Sequence, residues 1–216
     1  MQHVRSLLTT GVGKLGEGIH QFSLPAVVTC PGRSSICESV CYANNQGRYR
    51  FPQVQERLQW NFEQSLRDDF ADRMITEIRK KGCIVIRVHC SGDFYDADYA
   101  RKWLRVMKEC KTAKFYWYSR SWRDPDIAAV LEEMAVLKNC RAWYSIDAQT
   151  GLPEVVPKGV ALAYLQVEPD EEPELIDLLF VVRRLRKEAR RQSLPLLCPH
   201  QAGTAENCGH CTRCFR

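Results

Sequence analysis

The sequence predicts an α/β protein, either a full or partial (βα) barrel or an open doubly wound sheet, with a cysteine-rich C-terminal tail closing on it. Three observations carry this reading. From Cys83 onward, short segments rich in β-branched and aromatic residues alternate with stretches of helical periodicity, which is a βαβ rhythm. The polar residues of unusual type follow directly on the strand-like segments, where such folds gather their loops at one mouth. A length of 216 residues suits one domain with a substantial core. Residues 1–197 are therefore read as one barrel-like domain and 198–216 as a tail packed on it.

The elements follow in order. Phe22 to Thr29 reads as a strand leading into a cysteine loop, 30–41. Val54 to Lys81 reads as one long or two shorter helices, because Leu58, Phe62, Leu66, Phe70, Met74 and Ile78 recur every four residues. CIVIRVH (83–89), KFYWYS (114–119), RAWYSID (141–147) and GVALAYLQ (159–166) read as strands. Between them, 96–107 carries Tyr99, Trp103, Val106 and Met107 at helical spacing behind acidic residues. Asp124-Pro125-Asp126 opens a helix whose buried face is Ile127, Val130, Leu131, Met134 and Leu137. A last helix is expected over roughly 173–192, acidic at its start and arginine-rich at its end, with the arginines on a solvated face.

Composition narrows the function classes. With 45% hydrophobic and 26% charged residues, the chain is neither a disordered nor a membrane sequence. Apolar runs such as Leu178 to Val182 are far too short to span a bilayer. The first residues lack the apolar stretch of a secretory signal, so a cytoplasmic protein is expected. The cytosol keeps thiols reduced, which turns the 11 cysteines from a disulfide framework into candidates for metal or redox chemistry. A net charge of +5 argues only weakly for a polyanionic partner.

Seven cysteines are clustered: Cys30-x6-Cys37-x3-Cys41 and Cys198-x9-Cys208-x2-Cys211-x2-Cys214. C-x2-C loops let thiolates converge on one ion or cluster without strain. Three in succession with a remote fourth resemble iron–sulfur ligation more than paired zinc knuckles. A [4Fe-4S] cluster is thus favoured over zinc, and His210 is read as facing solvent. Cys30, Cys37 and Cys41 lack a fourth partner. It could be a tail cysteine, closing one mixed cluster, or a small molecule on an open iron, making a second cluster. Cys83, Cys110 and Cys140 read as small buried hydrophobes. Cys90, at a strand end among polar residues, is read the same way with less force.

Other motifs are weaker. Gly11 to Gly16 (GVGKLG) satisfies G-x-G-x-x-G on paper, yet it neither follows a strand nor opens a helix, and it is expected to be a flexible loop. His89 and Asp93 could form an acid–base pair, but a hydrogen-bonded structural role is favoured. Interleaved arginines and aromatics near the mouth suggest a surface for single-stranded nucleic acid, with guanidinium groups on phosphates and rings on bases. Its candidate residues are Arg33, Arg48, Tyr49, Arg50, Tyr118, Arg120, Trp122, Arg123 and Arg213.

The stretches GKLGEGIHQFSLPA, TCPG…C…CYA, GRYRF, VHCSGDFY, YSRSWR and CPHQ…CGHC resemble a family of small cysteine-rich proteins carried by phages and plasmids. The cysteine triple, the βα units and the cysteine-rich extension also resemble a compact radical S-adenosylmethionine (SAM) protein. The resemblance implies a radical-SAM-like or TIM-type barrel holding one or two [4Fe-4S] clusters. Radical SAM enzymes space their cysteines C-x3-C-x2-C, whereas this chain has C-x6-C-x3-C. The expected function is therefore a cytoplasmic iron–sulfur protein of a mobile element that binds single-stranded nucleic acid, DNA by preference, more a binding protein than an enzyme. The first alternative is a radical SAM-type enzyme using the N-terminal three-cysteine cluster, and the second is a zinc-stapled interaction protein.

Overall fold

The computed structural model describes residues 5–44, 47–171 and 173–216. Seven strands form one sheet in the order of the chain: β1 (Thr9–Thr10), β2 (Ile19–Phe22), β3 (Val85–Val88), β4 (Lys114–Ser119), β5 (Cys140–Ile146), β6 (Val160–Gln166) and β7 (Leu178–Val181). β1 is antiparallel to β2, and every later pair is parallel. The sheet is open among the described residues, with β1 and β7 as its outermost strands.

The helices are α1 (Ser35–Ser39), α2 (Pro52–Leu66), α3 (Phe70–Lys81), α4 (Ala97–Glu109), α5 (Pro125–Ala135), α6 (Arg186–Arg191), α7 (Pro199–Ala202) and α8 (Cys208–Cys211). Their ends follow local chemistry. The Asp96 carboxylate accepts from the Tyr99 amide at 2.7 Å and starts α4. Asp124 does the same for Asp126 and Ile127, with Pro125 in the first turn of α5. Gly82, at φ +60°, ends α3 in the left-handed conformation open to glycine. The region 54–81 is two helices because the backbone turns extended at Arg67. That break takes Leu66 out of the apolar stripe and leaves it 55% exposed.

Alternation along the strands divides the sheet into two unlike faces. Phe22, Ile86, Val88, Phe115, Trp117, Tyr144, Leu162 and Leu179 pack with α3, α4 and α5 in one large core that includes Trp103 and Met134. Burying each such aromatic contributes roughly 2–3 kcal/mol. The opposite face carries Ile19, Val85, Tyr116, Trp143, Ala161, Ala163 and Leu178, which pack with Cys90, Cys198 and Cys208 and with Cys214 and Phe215 of the tail.

Two expected elements differ. The strand expected over 22–29 lies earlier, at Ile19–Phe22, and residues 26–29 form a turn. The helix expected over 173–192 is strand β7, a single 3-10 turn at Arg183–Leu185 and the short α6. Leu178 to Val181 is an apolar run buried on both faces, and such a run cannot be told from a helix by periodicity alone. Pairing with β6 decides it.

Candidate metal centre and its surroundings

The tail is held on the helix-free face by bonds from three directions. The Cys208 and Gly209 amides donate to the Lys14 and Leu15 carbonyls at 2.7 and 3.1 Å. The loop 11–16, expected to be flexible, is thus the seat of the second cysteine motif. Gly16 has φ +78°, and a Cβ there would stand 2.6 Å from the Asn207 side chain, so the close approach requires glycine. Asn207 in turn caps α8 by accepting from the His210 amide at 3.0 Å. From the sheet, Tyr118 Oη donates to Cys214 Sγ at 2.8 Å, and Trp143 Nε1 donates to the Cys214 carbonyl at 3.0 Å. Phe215 lies against Tyr116 with ring centres 5.4 Å apart. At the sheet edge, the Cys198 amide donates to the Leu179 carbonyl at 2.8 Å, and Gln201 bonds both backbone groups of Val181.

All 11 cysteines are free thiols. Cys198, Cys208 and Cys214 are close enough to feel one another's charge. Burial pushes the Cys208 thiol up to about 11, Lys14 and Arg87 pull it back, and Cys214 and Cys198 push it further. The Cys214 thiol is raised by burial against the Tyr118 hydrogen bond and the Arg87 charge. The tail thiols therefore stand beside two cations.

The N-terminal triple lies over the loops that follow β3, β4 and β5. Ser34 caps α1 by accepting from the Cys37 amide at 2.9 Å and donates to Asp147 Oδ2 at 2.6 Å. Asp147, 0% exposed, also pairs with Arg120 at 3.1 Å. A Cβ on Gly32 would meet the Arg120 carbonyl at 2.0 Å, so the loop lies directly on the backbone after β4. Cys30 is raised to about 12 by burial, then by Asp93, with Cys37 and Cys41 adding to it. Asp93 and Asp147 border this group together with the cations Arg33 and Arg120. Among the described residues, neither set of thiols is drawn to the spacing of a single ion. The tail's donor set nevertheless fits a thiolate-bound metal: soft ligands, a hydrogen bond to one sulfur, and cations to offset the ligand charge.

His89 and Asp93 are structural partners of other groups. His89 Nε2 bonds Tyr99 Oη at 2.8 Å, while Asp93 Oδ2 accepts from the Arg120 and Ser121 amides at 2.8 and 3.3 Å. The nine residues considered for nucleic acid divide. Tyr49 is buried, Tyr118 holds Cys214, and Trp122 stacks on Tyr144 at 5.5 Å and donates to the Ser145 carbonyl. Arg33 pairs with Glu38, Arg120 with Asp147, and Arg213 and Arg123 donate to the Asp177 and Gly32 carbonyls. Arg48 and Arg50 are exposed, beside Phe51 and Tyr42, whose rings are about half exposed, although the Tyr42 hydroxyl donates to the Cys90 carbonyl. Sequence reasoning passed over Arg87 and treated Cys90 as a bland core residue. Cys90 lies in the same apolar cluster as Cys208, and only the alternation of β3 and its exit loop hinted at that face.

Fold and site define a class: an α/β protein with an open, mostly parallel sheet, helices on one face and a thiol-rich tail clasped to the other. Within it, the chain belongs to the Gene product 88 family, whose model matches residues 5–216. It is 29% identical to the Gene 88 protein of Mycobacterium phage D29, over 63% of this chain and 60% of that one. It is 30% identical to the Gene 88 protein of Mycobacterium phage L5, over 63% and 61%. The chain thus spans about three-fifths of the length of the curated relatives it matches. No solved structure matches it.

Proposed function

We propose that this chain is a cytoplasmic iron–sulfur protein of a mobile element, with a [4Fe-4S] cluster held by Cys198, Cys208, Cys211 and Cys214, that binds single-stranded nucleic acid, DNA by preference. The observation that carries the metal reading is that Cys198 and Cys208 each share an apolar cluster with Cys214 on the face opposite α3, α4 and α5, beside Lys14 and Arg87. Removing thiolates from water is costly unless cations or metal offset their charge, and Lys14 and Arg87 supply cations here. Cys30, Cys37 and Cys41 form the place for a second cluster. The sequential parallel order of β2 to β7 supports a partial barrel as the scaffold. The nucleic-acid reading rests on Tyr42, Arg48, Arg50 and Phe51, which offer exposed cations and rings on one short stretch near the cysteine loop.

Anaerobic reconstitution with iron and sulfide tests the metal reading. The expected product is brown with a broad band near ~400 nm, and it loses the tail cluster's share of that band and of its iron when Cys208 and Cys214 are changed to Ser, but not when Cys83 is. A colourless protein carrying only zinc would overturn it in favour of a zinc-stapled interaction protein. Reductive cleavage of SAM by the reduced protein would replace it with the radical enzyme. For nucleic acid, a mobility shift with single strands that weakens with salt and with R48A/R50A is expected, and a salt-independent or absent shift would sink that part.

A further inference from the structure

Arg87 is the one charged side chain that β3 sends toward the tail face, and the sheet provides it with no carboxylate. Its Nε donates to the His89 carbonyl at 3.3 Å, and its guanidinium lies 5.9 and 5.4 Å from the Tyr116 and Tyr118 ring centres. Among the described residues it makes no ion pair, although it is half-buried. The groups around it that can take negative charge on binding a metal are thiols: Cys214, which accepts from the Tyr118 hydroxyl, and Cys90 and Cys208, which share an apolar cluster with Tyr116. A half-buried cation with one carbonyl and no carboxylate beside it is costly, and two tyrosine faces offset only part of that cost.

We infer that Arg87 is the countercharge of the tail thiolate centre, placed by β3 behind Cys208 and Cys214 to offset the net negative charge that metal-bound thiolates bring to the sheet. The inference rests on the metal reading above. A guanidinium suits this place because it is permanently charged, weakly hydrated and able to lie flat between two rings. Arg87 is a positioning residue in this scheme and touches no substrate.

The test compares wild type, Arg87→Met and Arg87→Lys after anaerobic loading with iron and sulfide. Arg87→Met should lose iron to a chelator roughly 10- to 100-fold more readily than wild type, as outer-shell changes do. Arg87→Lys should stay within a few-fold of wild type. Because a cation holds the more negative, reduced state, the midpoint potential of any loaded Arg87→Met should fall.

The metal-free forms separate this from a structural role. Without thiolate charge to offset, metal-free Arg87→Met should melt at the wild-type temperature or above it. A strut between Tyr116 and Tyr118 would instead make metal-free Arg87→Met melt lower, and that result overturns the inference. Equal iron retention and equal potential in wild type and Arg87→Met also overturn it. If wild type takes up no metal at all, the metal reading falls and the countercharge falls with it. Failure of the countercharge alone leaves a wild-type protein that loads normally.

Discussion

The Tyr118 hydroxyl donates a 2.8 Å hydrogen bond to Cys214 Sγ, joining the C-terminal end of β4 to the tail across 96 positions of sequence. Trp143, stacked on Tyr118 with ring centres 5.6 Å apart, bonds the carbonyl of the same cysteine. Two neighbouring strands thus hold one tail residue by its side chain and its backbone.

Tyr118→Phe keeps the ring stack and removes only the hydroxyl. Its expected cost is about 1 kcal/mol, the net value of one buried hydrogen bond. Trypsin should trim the variant faster at the exposed Arg213, and mass spectrometry of a digestion time course reads this directly.

Gly16→Ala should cost roughly 1–3 kcal/mol, since it forces a non-glycine residue to a φ of +78° and drives a Cβ into Asn207. Gly13→Ala, at φ +57° with nothing within 4 Å, bears the backbone term alone and should cost less. Thermal melts of the two variants side by side check the difference, and equal losses would mean that the Asn207 contact is unimportant.

Arg120→Met leaves Asp147 wholly buried with hydrogen bonds from Ser34, Gln149 and Thr150 but without its cation. Breaking such a pair from one side typically costs about 3–5 kcal/mol. Urea unfolding should show a loss of that order, and thiol labelling of Cys37 should quicken because Ser34, which caps its helix, hangs on the same carboxylate.

His89 should make the fold sensitive to mild acid. Burial, aided by Arg87, lowers its folded value to about 3 from the ordinary 6.5. Between these values the unfolded chain takes up a proton that the folded one refuses, so stability is full above about 6.5 and is lost as the pH falls toward 3. Glu77 titrates below its ordinary 4.5 in the folded state, held by Lys81 and Ser6 against burial, and adds a similar loss only in more acid solution. Urea midpoints between pH 6.5 and 4.5 should therefore fall in wild type and stay flatter in His89→Gln.

Much of the scaffold was legible from local signals. Strands β3 to β6 and helices α4 and α5 stand where alternation, apolar spacing and the caps at Asp96 and Asp124 put them. β7 was missed because a four-residue apolar stretch has no period to read, and its neighbour in the sheet is its only identifier. In the candidate site, spacing singled out the clustered thiols, while Tyr118 and Trp122 looked like free aromatic surface. Each sits at the end of a polar, arginine-rich stretch, and only a contact with Cys214 or Tyr144 reveals the ring as engaged.

The sequence by itself determined the alternating βα rhythm, the two sets of clustered cysteines and the caps that start α4 and α5. These are encoded within a few residues of one another. Tertiary structure alone decided that the tail covers the helix-free face, that loop 11–16 is its seat, and that Arg87 stands behind its thiols. Those facts depend on the register of parallel strands and on contacts between residues tens to hundreds of positions apart, and no local pattern of side chains carries that information.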